Sequence, residues 1–145
     1  MPRPDAPQPA TAATAPATEG GPLLRDQRRA LHAYRCVDEV AEEPQAKRQD
    51  YQIVVNDLGA TIRRSGLCAA LAALERQKDG RGGALLAHIA RADLPGLQGV
   101  TQHNLSARVR QLDVDSYMLV TREVLQVAAW LKRAAQATFG GESDA

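Results

Sequence analysis

Aromatic side chains, cysteines and long apolar runs are all scarce in this chain. Aromatic residues make up 3% of its 145 residues, so few rings are available to stack on single-stranded bases. The two cysteines form no paired motif, which argues against a disulfide framework or a zinc site. No stretch approaches the ~20 apolar residues of a membrane span, and no signal peptide stands at the start. These absences predict a reduced, cytoplasmic protein without a membrane segment.

Recognisable catalytic motifs are absent as well. The three histidines lie on different predicted elements without metal-ligand spacing, and no Gly-x-Ser-x-Gly or Gly-Lys-Ser/Thr motif occurs. The glycine-rich run at 80–83 could cradle a phosphate before a helix, although a plain flexible loop is the simpler interpretation. His88 lies among apolar residues, where a hydrogen-bonded structural histidine is expected. We therefore predict a protein that is not an enzyme, with no cofactor and no metal site.

Composition divides the chain into three segments. Residues 1–22 hold six of the eight prolines and offer little apolar area, so we predict a disordered Pro/Ala/Thr-rich leader. Residues 23–139 are predicted to form a single helical-bundle domain, followed by a short polar tail at 140–145. Residues 24–139 carry 17 basic and 13 acidic residues, a net charge of +4. This mildly basic balance permits nucleic-acid contact without requiring it.

The foldable region is predicted to be all-α. Ala, Leu, Arg, Gln and Glu dominate it, and no strand alternation stands out. Apolar spacing and helix-end signals predict an antiparallel bundle of five to six helices, near 24–43, 44–65, 67–74, 84–94, 105–112 and 113–139. The core face of the first helix is predicted to include Leu24, Leu31, Tyr34 and Val37. That of the second helix is predicted to include Tyr51, Val54, Val55, Leu58 and Ile62. That of the last helix is predicted to include Val114, Tyr117, Met118, Val124 and Leu131.

The first predicted helix carries a basic stripe at helical spacing, opposite the apolar face predicted for it. Its members are Arg25, Arg28, Arg29, His32 and Arg35. Acidic residues gather at the other end of the helix, so the charge order opposes the helix dipole at both ends. We therefore expect the stripe to contact phosphates or an acidic partner. We also expect the replacement of Arg28 and Arg29 by glutamate to leave the fold intact. A solvated surface, with Arg35 paired to Glu39, is the alternative.

Three smaller features are further candidate contacts for RNA or a partner. Arg63–Arg64 lie at the end of the second predicted helix and Lys132–Arg133 lie late in the last one, and near the C-terminus of a helix the dipole by itself favours cations. Trp130 lies away from the main apolar face of the last helix. A tryptophan there indicates either a second helix contact or a subunit interface.

Three segments resemble, in order and spacing, the small subunit of the type III-B (Cmr-type) CRISPR effector. They are RRALHAYRCV at 28–37, LGATIRRSGLCAALA at 58–72, and the closing helix at 117–135 with its Trp-Leu-Lys-Arg run. The resemblance implies a non-catalytic subunit that stacks into a minor filament. The implied partners are the large backbone subunits, neighbouring copies of itself, crRNA and target RNA. Two alternatives stay open: the small subunit of a related type III-A complex, and a helical DNA-binding regulator.

Overall fold

The computed structural model describes residues 21–77 and 80–140. The predicted leader and polar tail therefore lie almost wholly outside the described residues, as do Lys78 and Asp79. The described residues form six helices and no strand, which confirms the all-α prediction. The helices are α1 (Arg25–Ala41), α2 (Gln45–Ser65), α3 (Leu67–Glu75), α4 (Gly83–Ala90), α5 (Leu105–Arg110) and α6 (Val114–Phe139).

Helix α6 is the longest element, and both α1 and α2 pack along it. It begins where predicted because the Asp113 carboxylate accepts a hydrogen bond of 2.8 Å from the Ser116 amide. Near this start, the Tyr117 hydroxyl accepts a bond of 3.0 Å from the Cys68 amide, just beyond the end of α2. The other end of α6, at Gly140, lies close to Gln52 in the first half of α2. Helices α2 and α6 are therefore antiparallel.

Two glycines fix the path of the chain around α3. Gly66 joins α2 to α3 with φ = +92°, a conformation that side chains rarely tolerate. Gly82 follows α3, and a Cβ placed on it would lie 2.3 Å from the Leu74 carbonyl oxygen. The glycine-rich run therefore lets the chain pass directly over the backbone of α3 before α4 begins.

The predicted core face of α2 is confirmed, and those of α1 and the start of α6 are partly wrong. Leu24, Tyr34 and Val114 are exposed at 72%, 39% and 73%. Leu31 and Met118, also assigned to the core, are exposed too. Helix α1 instead buries Ala33, Cys36, Val37 and Val40. These mostly small side chains allow the backbone of α1 to lie close to its neighbours, so the larger apolar side chains remain at the surface.

Candidate functional site

The basic stripe lines one wall of a surface groove of about 290 Å³. We call it the α1 groove. Its α1 wall consists of Arg25, Arg28, Arg29, His32 and Arg35, with Leu23 and Leu31 supplying apolar surface. Arg91, Ala92 and Asp93 follow α4 and form part of the opposite side, and Glu123 and Val127 of α6 complete the lining. The lining thus contains five arginines and two acids. Its net positive charge suits the groove to an anion.

Glu123 binds two of these arginines. Arg29 donates from Nε to Oε2 and from Nη2 to Oε1, both at 2.8 Å, and Arg25 Nε lies 3.3 Å from Oε1. Burial would by itself raise the pKa of Glu123, which is only 7% exposed, but the two guanidinium groups outweigh it and hold that pKa below its usual value. The prediction that the whole stripe lies opposite the core is therefore wrong. Arg25 and Arg29 connect α1 to α6.

Arg28 and Arg35 are the cations of the stripe without a carboxylate partner among the described residues. Both are exposed, and Arg28 Nη1 donates to the Leu23 carbonyl at 2.8 Å. The Arg35–Glu39 pair of the solvated-surface alternative is not formed. Glu39 instead accepts from Arg91 at 2.8 and 3.1 Å, and this guanidinium holds the pKa of Glu39 below its usual value. Arg28 and Arg35 are therefore the positive charges that an incoming anion would meet.

A buried polar network lies beneath the second half of α1. His32 Nε2 donates to the His88 carbonyl at 2.8 Å, and the Tyr51 hydroxyl donates to His88 Nδ1 at 2.8 Å. Burial lowers the pKa of His88 to about 4, and it also lowers that of His32. Both rings are consequently neutral at physiological pH. The prediction of a hydrogen-bonded structural histidine at position 88 is confirmed.

Sequence reasoning missed Glu123, although the sequence carries a signal for it. Glu123 is a lone acid between Val120, Val124 and Val127, all of which are buried on the same helix. Buried carboxylates are rare unless they are paired. An acid on an apolar helix face, together with a basic stripe on another helix, indicates an ion pair between the two helices.

The other predicted contact residues lie outside the α1 groove. Arg63 and Arg64 occupy the last turn of α2, as predicted. The last turn of α6 contains no basic residue, so the dipole argument for Lys132 and Arg133 was wrong. The Arg133 guanidinium instead lies 5.0 Å from the centre of the Trp130 ring.

Trp130 makes a contact between helices. Its Nε1 donates to Asp26 Oδ1 at 2.8 Å, which joins α6 to the first turn of α1. The structure thus supports the helix-contact interpretation of this tryptophan, while a role at a subunit interface stays a prediction.

Neither a metal cluster nor a membrane span was found in the described part of the chain. No group of three or more His, Cys, Asp or Glu side chains in 21–77 and 80–140 is arranged to hold a metal ion. No helix in those ranges is both long and apolar enough to cross a bilayer. Cys36 and Cys68 are free thiols, and burial raises the pKa of Cys36 to about 11.

These features define a small helical-bundle protein with an arginine-lined groove at its surface. The chain belongs to the Cmr5 family, because the family model "CRISPR-associated protein (Cas_Cmr5)" matches residues 25–138. It is similar to the crystal structure of a CRISPR-associated Cmr5 family protein from Thermus thermophilus, with a TM-score of 0.70 and 32% sequence identity. That match covers 79% of this chain and 97% of the Thermus chain. No curated protein matches the chain.

Family membership confirms the resemblance to the small subunit of the type III-B effector. The protein is therefore a subunit of a multi-subunit CRISPR effector complex. This assignment favours the type III-B subunit over the type III-A subunit and over the DNA-binding regulator, the two alternatives that the sequence had left open.

Proposed function

We propose that this chain is a non-catalytic, cytoplasmic subunit that stacks into the minor filament of the complex and helps to hold crRNA and target RNA. Its partners in this role are the large backbone subunits, neighbouring copies of itself and the two RNAs. Cleavage belongs to other subunits of the assembly. The α1 groove is the surface through which it contacts RNA phosphates.

The observation that carries this proposal is the pair of arginines on the groove wall that have no carboxylate partner among the described residues. Arg28 and Arg35 are exposed, while Arg25 and Arg29 beside them are held by Glu123. Guanidinium groups bind phosphate oxygens in a bidentate manner. The paired arginines fix the helix in place, and the two others present their charge to a ligand along the same wall.

The isolated protein should bind RNA weakly, because two free arginines and few aromatic side chains cannot retain a strand. Fluorescence anisotropy with single-stranded RNA should give micromolar or weaker affinity that is lost at moderate salt. Tight, sequence-specific binding by the chain alone would contradict a supporting role in an assembly.

Purification of the tagged chain from native cells tests the assembly itself. We expect large CRISPR subunits and crRNA to co-elute with it. A chain that elutes by itself, or as a dimer bound to duplex DNA, would overturn the proposal and favour a regulator.

A further inference from the structure

Glu123 holds its two arginine partners unequally. Arg29 binds it through two contacts of 2.8 Å, and 17% of the Arg29 side chain is exposed. Arg25 binds it through one contact of 3.3 Å, and 50% of the Arg25 side chain is exposed. A single long contact made by an exposed side chain is weak, whereas a two-point ion pair is strong. Arg25 can therefore leave Glu123 while Arg29 continues to join α1 to α6.

The surroundings of Arg25 favour a second anion beside it. Arg25 Nε and Arg29 Nη2 contact the same oxygen of Glu123, Oε1, so the two guanidinium groups share one acceptor. Arg25 is the first residue of α1, where the helix dipole disfavours a cation and favours an anion. Arg28 and Arg29 lie three and four positions further along the helix, at a spacing where like charges repel. A phosphate in the α1 groove would reduce this repulsion, because Arg25 lines the groove together with them.

We propose that Arg25 exchanges the Glu123 carboxylate for an RNA phosphate when a strand binds in the α1 groove. The exchange rests on the proposed contact between this groove and RNA. Glu123 keeps Arg29 throughout, so the bundle stays joined while Arg25 becomes a third cation for the strand beside Arg28 and Arg35. The Glu123 carboxylate is thus an internal competitor of the RNA, and it lowers the affinity that the groove would have without it.

The effector complex assembled with crRNA and target RNA tests the exchange, with target-RNA retention measured as a function of salt. Arg25→Gln should weaken retention about fivefold. It should also lower the salt slope by about 0.7, the contribution of one phosphate contact on a single strand. Arg122→Gln is the matched control, because it removes an exposed arginine of α6 outside the α1 groove. The control should change neither quantity.

Glu123→Gln separates competition with RNA from a purely structural role. The amide can still accept a bond from Arg29 through its carbonyl oxygen, but it has no charge to hold Arg25. Retention should therefore become about threefold tighter, although the same variant lowers the free energy of unfolding. Adding Arg25→Gln to it should remove this gain, because the side chain to be released is gone. If Glu123 only stabilised the bundle, its loss would weaken retention instead.

A wild-type salt slope in Arg25→Gln would overturn the exchange, and so would an equal loss of retention in Arg122→Gln. A folded Glu123→Gln that retains RNA no better than the wild type, or a gain that persists without Arg25, would overturn it as well. Circular dichroism checks folding, and the slope of Arg25→Gln decides the matter if Glu123→Gln does not fold. The proposed function fails separately, when Arg28→Ala/Arg35→Ala retains target RNA as the wild type does.

Discussion

Arg29 and Glu123 form a two-point ion pair, with Nε 2.8 Å from Oε2 and Nη2 2.8 Å from Oε1. The pair joins α1 to α6 across 94 positions of sequence, and only 17% of the Arg29 side chain and 8% of the Glu123 side chain are exposed. Part of the basic stripe therefore stabilises the bundle. Arg28 and Arg35 have no carboxylate partner among the described residues, so they are available to bind a ligand or a partner.

Glu123→Gln should destabilise the bundle, because it leaves two guanidinium groups without the carboxylate that they bind. Hydrogen bonds to charged groups contribute ~1.5–3 kcal/mol, and Arg25 is half exposed, so we expect a loss of about 1–3 kcal/mol. Urea unfolding monitored by circular dichroism measures it. The matched control Glu42→Gln, an exposed position at the end of α1, should change the free energy of unfolding by less than ~0.5 kcal/mol. Equal stability of the two variants would show that the pair contributes nothing.

Arg28 and Arg29 should respond in opposite ways to glutamate, although the sequence had suggested that both tolerate it. Arg29→Glu places a carboxylate against buried Glu123 and should lower the melting temperature clearly. Arg28→Glu adds an exposed negative charge near the start of α1, which is neutral or stabilising by ~0.3–1 kcal/mol. Thermal melts of the two single variants decide the matter, and identical melting temperatures would refute the role of Arg29 in joining α1 to α6.

Acid should destabilise the protein between pH 7 and pH 5 through His88. Burial lowers its pKa in the folded state to about 4, below the usual 6.5. The unfolded chain therefore binds more protons in this window, and stability falls as the pH falls. We expect a loss of about 2 kcal/mol from this group over the window.

His88→Gln keeps a neutral polar side chain and should reduce this dependence, whatever its effect on stability at pH 7. The part that remains comes from His32, whose pKa is also lowered by burial. Urea unfolding at several pH values measures the slope for each protein. The pKa values of Glu39 and Glu123 are lowered from an ordinary 4.5, so the stability that these carboxylates contribute is lost mainly below this window. An unchanged slope in His88→Gln would mean that this histidine is not held neutral by burial.

Local sequence patterns predicted those parts of the fold that local interactions determine. The stripe of Tyr51, Val54 and Leu58 has one consistent helical period, and all three side chains are buried. Asp113 caps α6 through an amide only three residues away. Such features need no knowledge of distant parts of the chain.

The face of α1 could not be predicted in this way, because two apolar sets compete on the same helix. Leu31 and Tyr34 are larger than Ala33 and Cys36, so a hydrophobicity pattern selects the wrong pair. Which face of α1 is buried depends on how α1 packs against α6, where it contacts small side chains and the Glu123 carboxylate. The residues of α6 that decide it lie about 90 positions further along the chain. For the same reason, local patterns could not predict which arginines of the basic stripe bind Glu123 and which have no carboxylate partner among the described residues.

The double variant Arg28→Ala/Arg35→Ala tests the central claim most directly when it is assembled into the effector complex with crRNA and target RNA. Arg76→Ala/Arg122→Ala is the matched control, since it removes two exposed arginines outside the α1 groove. We measure subunit incorporation, and target-RNA retention as a function of salt. We expect the groove variant to weaken retention about tenfold or more and to lower the salt slope by about 1.4, with the control unchanged. A groove variant that assembles and retains target RNA as the wild type does would contradict the account.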